Sequence, residues 1–337
     1  MDIKLGKPIN VLSFNQNNLD DFCSKVEYIK KTRTKLFKSE KLKSISKCPI
    51  CGSSNIKFQV NIYGAEYYQC LSCFHSFVRY VPAEEMIEDF YSTNAVYSST
   101  YTDKKVTDER LKQIAIPKVE WVIEQYKACY RKKPTKILDV GAGGGHFVKA
   151  CEMCGIKAEG IEISEASRLF CKKNYDIELH NCDFVKDWKN FTGFDVITFW
   201  GVLEHTSNPV LLLKTAKKSF KNGEGFIVTE VPHWDSFSTI VQSIFSGSII
   251  RHLDPLVHIH CFTSSSLTKA FELSGFKPFS AWYFGMDAYE LIIQLSNVLR
   301  DESFIKNLDV TFPLLQDKID KAKMSEELVF AGKPNTK

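Results

Sequence analysis

An α/β fold built on a seven-stranded, mostly parallel sheet, with a smaller module ahead of it, is what this chain of 337 residues predicts. Three observations carry that prediction. The apolar stretch Ile137-Leu138-Asp139-Val140 runs straight into Gly141-Ala142-Gly143-Gly144-Gly145 and on into Phe147-Val148, a strand followed by a glycine turn that opens a helix. Downstream, strand-like apolar runs alternate with helical segments, as in a parallel sheet covered on both faces. Upstream, Cys48-Pro49-Ile50-Cys51 and Cys70-Leu71-Ser72-Cys73 form two C-x-x-C pairs separated by 18 residues, a spacing that fits a tetrahedral zinc site.

Taken in order, residues 1–47 read as a basic N-terminal arm, helical or partly ordered. From Lys25 to Lys47 nine Lys or Arg stand against Glu27 and Glu40, the composition of a solvated helix face. Residues 48–81 read as a zinc ribbon, with short strands at Ile56–Val60 and Tyr67-Tyr68 stapled by Cys48, Cys51, Cys70 and Cys73. Four thiolates leave no open coordination position, so the expected ion is structural. Residues 82–116 form a connector: a helix from Pro82 to Asp89, then a Ser/Thr-rich loop with Tyr91, Tyr97 and Tyr101. Residues 117–337 form the main domain. Its helix Lys118–Cys129 precedes strands near 136–140, 157–163, 177–180, 194–200, 225–231 and 279–284, and Leu328-Val329-Phe330-Ala331 reads as an antiparallel edge strand. Long inserts at 232–262 and 286–324 read as loops over the sheet, where substrate contacts commonly lie.

The glycine turn points to a nucleotide-like cofactor. Gly141, Gly143 and Gly145 stand at alternate positions, but the third glycine of a dinucleotide G-x-G-x-x-G turn is replaced by His146. Glu162 and Asp183 follow at equal intervals (141, 162, 183), which puts both acids at the carboxyl edge of a parallel sheet beside that turn. There Glu162 can accept ribose hydroxyls and Asp183 an adenine amino group. With these residues, and with Phe194-Asp195-Val196-Ile197-Thr198-Phe199-Trp200 leading into Gly201-Val202-Leu203-Glu204-His205, the chain resembles the class I S-adenosylmethionine (SAM) methyltransferases over about residues 117–335. The resemblance implies a Rossmann-like fold in which Asp139 and the three glycines hold the methionine end of SAM. It gives the ribose to Glu162 and the adenine side to Asp183; Trp200 and Trp234 read as lining the pocket, with ordinary burial the alternative.

Methyl transfer from a sulfonium is an in-line displacement that depends mainly on positioning, and a hydroxyl or carbon-acid acceptor also needs a base. His205, in the turn after the fourth strand, fits that place and titrates near neutrality; the alternative is that Glu204-His205 caps the helix starting near Ser207. His233, His252, His258 and His260 cluster within 28 residues, which would fit a second base or a metal site, yet the metal reading lacks convergent carboxylates at ligand spacing. A zinc ribbon ahead of a SAM domain is similar to the deoxysugar C-methyltransferases, although their usual extra C-terminal domain is missing here. That resemblance implies active-site roles for Tyr97 (or Tyr101), His205 and His258. Cys151 and Cys154, a third C-x-x-C, read as core packing on the helix after the glycine turn.

The expected function is therefore SAM-dependent methylation, at oxygen or carbon, of a small-molecule acceptor, a sugar or saccharide intermediate. Two rivals are an RNA methyltransferase that grips nucleic acid with the ribbon and basic arm, and an inactive methyltransferase-like scaffold. The net charge of +4, from 44 basic and 40 acidic residues, is too balanced to imply nucleic acid. Met1–Phe14 holds no secretory apolar core and no long apolar run follows, so membrane and export are not expected. Eleven scattered cysteines fit a reducing, cytoplasmic setting. The oligomeric state is left open.

Overall fold

The structure, a computed structural model, describes residues 1–9, 19–39, 41–83, 86, 104–220, 224–249 and 251–335. Tyr91, Tyr97 and Tyr101 lie outside them. The main sheet is built from β1 (Asp2–Leu5), β7 (Lys136–Val140), β8 (Lys157–Ile161), β9 (Val196–Trp200), β10 (Phe226–Pro232), β12 (Phe276–Phe284) and β13 (Glu327–Pro334). In space these strands run β1-β12-β13-β10-β9-β7-β8. β8, β7, β9 and β10 are mutually parallel, so their carboxyl ends share one edge.

Seven strands are present, but not the expected seven. The 177–180 segment contributes only a bridge between Ile161 and His180; its Glu178 and His180 face solvent and little is gained by a longer ladder. The seventh place goes to β1, from the arm read as helical or partly ordered, which pairs in parallel with β12. β13 is antiparallel as expected but interior, paired with both β10 and β12. Its run Leu328–Ala331 is wholly buried and apolar on both faces, which an edge position could not cover.

Helices cover the sheet. The connector helix α2 (Lys104–Arg110) continues through a π-helical turn at Leu111–Ala115 into α3 (Ile116–Tyr130). After β7 come α4 (His146–Met153), α5 (Glu165–Tyr175), α6 (Phe184–Asp187) and α7 (Pro209–Ala216), and α9 (Ser264–Leu273) precedes β12. The inserts read as loops are helical instead: α8 (Phe237–Ile244) in the first, α10 (Asp287–Leu299) and α11 (Leu308–Lys321) in the second. A buried polar network ties them together. Arg251 donates from Nε to Glu290 at 2.9 Å and from Nη2 to Glu326 at 2.6 Å. Asp287 accepts from Ser238 Oγ at 2.7 Å and Gln316 Nε2 at 3.1 Å.

The ribbon strands β3 (Ile56–Ile62), β4 (Ala65–Cys70) and β5 (Ser76–Val78) form a meander, and a short ribbon of β2 (Leu42–Ser44) with β6 (Tyr80–Pro82) flanks it. A fourth strand, β11 (His260–Cys261), comes from the first insert and pairs antiparallel with β5. The ribbon is thus stitched to the main body. Cys48, Ile50, Cys70, Cys73 and Phe77 share one apolar cluster with Ile197, Leu203 and Phe262. Helix α1 (Leu19–Phe37) is fastened to the same insert by Arg33, which grips Asp254 bidentately at 2.8 and 2.6 Å. Among the described residues no helix is long and apolar enough to cross a membrane.

Candidate active site

The turn after β7 is shaped by the protein's own packing. A Cβ on Gly141 would lie 2.6 Å from Val202, and one on Gly145 would lie 2.2 Å from Cys171. Both have positive φ, 77° and 75°. These two glycines therefore serve close approach of neighbouring segments, and Gly143 (φ 52°) is left as the one whose N–H is held from below by a carboxylate. That carboxylate is Glu162. Its Oε2 accepts from Gly143 N at 2.7 Å and its Oε1 from Ser164 N at 2.7 Å. Each oxygen keeps a further lone pair for a ribose hydroxyl.

Asp139 is buried at the end of β7 and accepts from Thr198 Oγ1 at 2.7 Å, across the pairing of β7 with β9. Loss of water pushes its pKa up to about 7, with the Thr198 bond and the Lys118 charge opposing. Asp183 is half-exposed and caps α6, its Oδ1 accepting from Val185 N at 2.9 Å. Trp200, at the end of β9, lies under the Lys118 ammonium at 4.6 Å, and Lys118 pairs with Glu230 at 2.7 Å. Its indole N–H is buried without a partner among the described residues. Cys151 is buried against the sheet in the Phe147 cluster, which supports packing for the third C-x-x-C pair.

The turn after β9 brings the histidines in. Asn208, not Glu204 or His205, caps α7, its Oδ1 accepting from Leu211 N at 2.9 Å. This frees His205, whose ring lies 5.8 Å from that of His258. Burial pushes His258 down to about 4, so its imidazole is neutral near pH 7, and His205 stands beside it with its side chain 39% exposed. His258 Nδ1 donates to the His252 carbonyl at 2.7 Å, which leaves its Nε2 as a lone-pair acceptor. Glu204 is nearly buried, and burial pushes its carboxyl up to about 8. The four-histidine cluster does not converge as one: His233 donates to the Ser325 carbonyl at 3.0 Å, and His252 Nε2 meets Thr239 Oγ1 at 2.9 Å.

His75, and the roles of Tyr67 and His260, escaped the sequence reading. His260 Nε2 donates to the Thr206 carbonyl at 3.0 Å, and its Nδ1 accepts from His75 at 3.1 Å. This relay runs from the ribbon to the residue next to His205. Tyr67 of β4 donates to the His258 carbonyl at 2.9 Å. Only the place of His75, two residues past Cys73, could have marked it in the sequence.

The four cysteines converge. Cys48 and Cys73 sulfurs are 3.5 Å apart, as are those of Cys51 and Cys70, and all four lie within 4.8 Å of one another. The sulfurs of a tetrahedral Zn–S₄ site stand about 3.8 Å apart, so the set fits zinc. Among the described residues all eleven cysteines are free of disulfides.

Residues 120–281 match the family model described as a methyltransferase domain. A ubiquinone biosynthesis O-methyltransferase of Pelagibacter ubique is 31% identical over 121 residues, 33% of this chain and 49% of the relative. The mitochondrial ubiquinone biosynthesis O-methyltransferase of Schizosaccharomyces pombe is 23% identical over 163 residues, 46% of this chain and 56% of the relative. The chain thus spans about half the length of the curated relatives it matches. Among solved structures, the plantazolicin methyltransferase BpumL with S-adenosylhomocysteine aligns at TM-score 0.48 and 17% identity, covering 74% of this chain and 94% of that one. A Burkholderia thailandensis 1,6-didemethyltoxoflavin N1-methyltransferase aligns at TM-score 0.46 and 14% identity, covering 78% and 96%.

Proposed function

We propose that this protein, whose residues 120–281 match a methyltransferase domain, transfers a methyl group from SAM to a hydroxyl or acidic carbon of a small molecule. The reading rests most on one observation: the Gly141–Gly145 turn, the acids Asp139 and Glu162, and the His205–His258 pair lie along one sheet edge. Val202 of the His205 turn packs directly over Gly141. Bound SAM supplies the electrophilic methyl group. Asp139 and the Gly143 loop hold its methionine end, Glu162 the ribose and Asp183 the adenine side. His205 and His258 activate the acceptor with neutral lone pairs that can take its proton. The ribbon, whose four cysteines hold a structural zinc, supports the acceptor side through Tyr67 and the His75–His260 relay. A sugar or saccharide intermediate is the acceptor supported by the resemblance of the ribbon-plus-SAM-domain arrangement, and the ubiquinone-pathway relatives likewise support an oxygen acceptor.

Calorimetric titration with S-adenosylhomocysteine tests the cofactor half. Saturable binding is expected, and Gly143→Val should remove it while leaving the fold, because a β-branched residue is strained at φ 52° and intrudes on the loop. No heat from the wild-type protein would refute the reading. Binding should also release a proton near neutral pH. With its pKa raised to about 7, Asp139 is protonated in the free protein at pH 6, and the cationic methionine end favours its ionised form. Affinity should rise about tenfold from pH 6 to 8 and then level off. In the free protein the sign is opposite: the folded form keeps a proton the unfolded chain gives up, so this group's contribution to stability falls from about pH 4 to 7. Asp139→Asn should abolish the proton release, measured in buffers of different ionisation enthalpy.

A further inference from the structure

The side chains of Glu204, His205 and His258 offer three ligand atoms within 4.8 Å of one another, from two segments of chain that the fold brings together at the sheet's carboxyl edge. We infer that they form a divalent-cation site that binds and activates the acceptor, which rests on the methyltransferase reading above. Four features carry it. The donor set is two imidazoles and one carboxylate, the set that binds zinc, iron or manganese ions and leaves coordination positions open. The His258 ring is oriented as metal-bound imidazoles are, with Nδ1–H given to the His252 carbonyl and Nε2 left bare. The His205 ring, which no helix cap claims, stands 5.8 Å from that of His258. Glu204 has a side chain only 4% exposed, and its Oε2 has no hydrogen-bond partner among the described residues, while its Oε1 lies 3.8 Å from His205 Nε2.

A buried carboxylate oxygen left unpaired is costly, and a cation drawn to it removes that cost. Ligand atoms around one ion stand about 3 Å apart, so closing this triad needs a shift of about an ångström, which the open His205 ring can supply. The site opens to solvent on the His205 side, where an acceptor can enter.

The chemistry follows. The cation takes the lone pairs that would otherwise serve as bases and lowers the pKa of a coordinated acceptor hydroxyl, whose proton leaves to solvent. The acceptor oxygen forms the new bond to the methyl carbon of SAM, and the C–S bond breaks with its electron pair left on sulfur. Open positions on the cation favour an acceptor with two adjacent oxygens, such as a vicinal diol or a hydroxyl beside a carbonyl.

Mn²⁺ titration followed by electron paramagnetic resonance of the free ion tests the site, because thiolates of a zinc ribbon do not favour manganese. The full-length wild-type protein should bind one equivalent of Mn²⁺. Glu204→Gln, nearly isosteric, and His205→Ala, on the open side, should each weaken it by roughly a hundredfold or more. S-adenosylhomocysteine affinity, zinc content and melting temperature should stay unchanged. A wild-type protein that takes up no Mn²⁺, or variants that bind it equally well, would overturn the cation site. The cofactor titration on the same samples reports separately on the methyltransferase reading.

Discussion

Serine in place of Cys70 should unfold the ribbon and disable the acceptor side of the site while the glycine turn still binds S-adenosylhomocysteine. Structural zinc contributes about 10–16 kcal/mol in small zinc-dependent peptides, comparable with the whole stability of an ordinary domain, about 5–15 kcal/mol. The ribbon strands are three to seven residues long and cannot hold together on their own. The effect reaches further because the ribbon is not a separate bead. Losing it removes the partner of β11, the Tyr67 bond to the His258 carbonyl and the His75–His260 relay that ends beside His205. Zinc analysis should find one tightly held equivalent in the wild type and none in the variant, and the melting temperature should fall by roughly 10 °C or more. A zinc-free wild-type protein that melts normally would remove the ribbon assignment.

Replacement of Arg33 by Met is expected to have the next largest effect. Both partners of the Arg33–Asp254 pair are 2% exposed in their side chains, and removing one partner of such a buried pair costs about 3–5 kcal/mol because the other charge is left without compensation. The consequence for function is local. Asp254 shapes the turn that delivers His258: its carbonyl accepts from Val257 N at 3.0 Å and His258 N at 2.8 Å, and its Oδ1 from Leu256 N at 3.2 Å. Urea unfolding should show the lost stability. Mn²⁺ binding and turnover should suffer while S-adenosylhomocysteine binding at the other end of the edge is retained. Arg33→Met combined with Asp254→Asn should recover part of the stability, since it removes the stranded charge; no recovery would mean that the pair is not what holds this turn.

The glycine turn and the acids beside it, to which the proposed function gives the cofactor, are largely legible in the amino-acid sequence. A strand carrying Asp139 near its end, a glycine turn and an acid just past the next strand are short-range features, and the positive φ of Gly141, Gly143 and Gly145 is one that glycine adopts at little cost. Two of those glycines also answer Val202 and Cys171, contacts that no local pattern announces. The Cys48, Cys51, Cys70 and Cys73 set is equally plain, because chelation by two short turns is written in spacing alone.

The acceptor side is not legible in the same way. His205 and His258 can be named singly, but Asp254, the carboxylate that stands between His252 and His258 in sequence, is taken by Arg33 and does not supply the acid that meets them. Glu204 supplies it from another strand's turn, and the neighbours His233 and His252 are occupied elsewhere. The same holds for β1 taking an edge of the main sheet, β13 lying inside it and β11 completing the ribbon. By itself, then, the sequence determined the α/β class, the cofactor turn and the cysteine set, since backbone sterics, hydrophobic period and ligand spacing act over a few residues. Which distant strands pair, and which imidazoles meet a buried carboxylate, only the tertiary structure decided, because those outcomes depend on burying both faces of a sheet and satisfying every polar group at once.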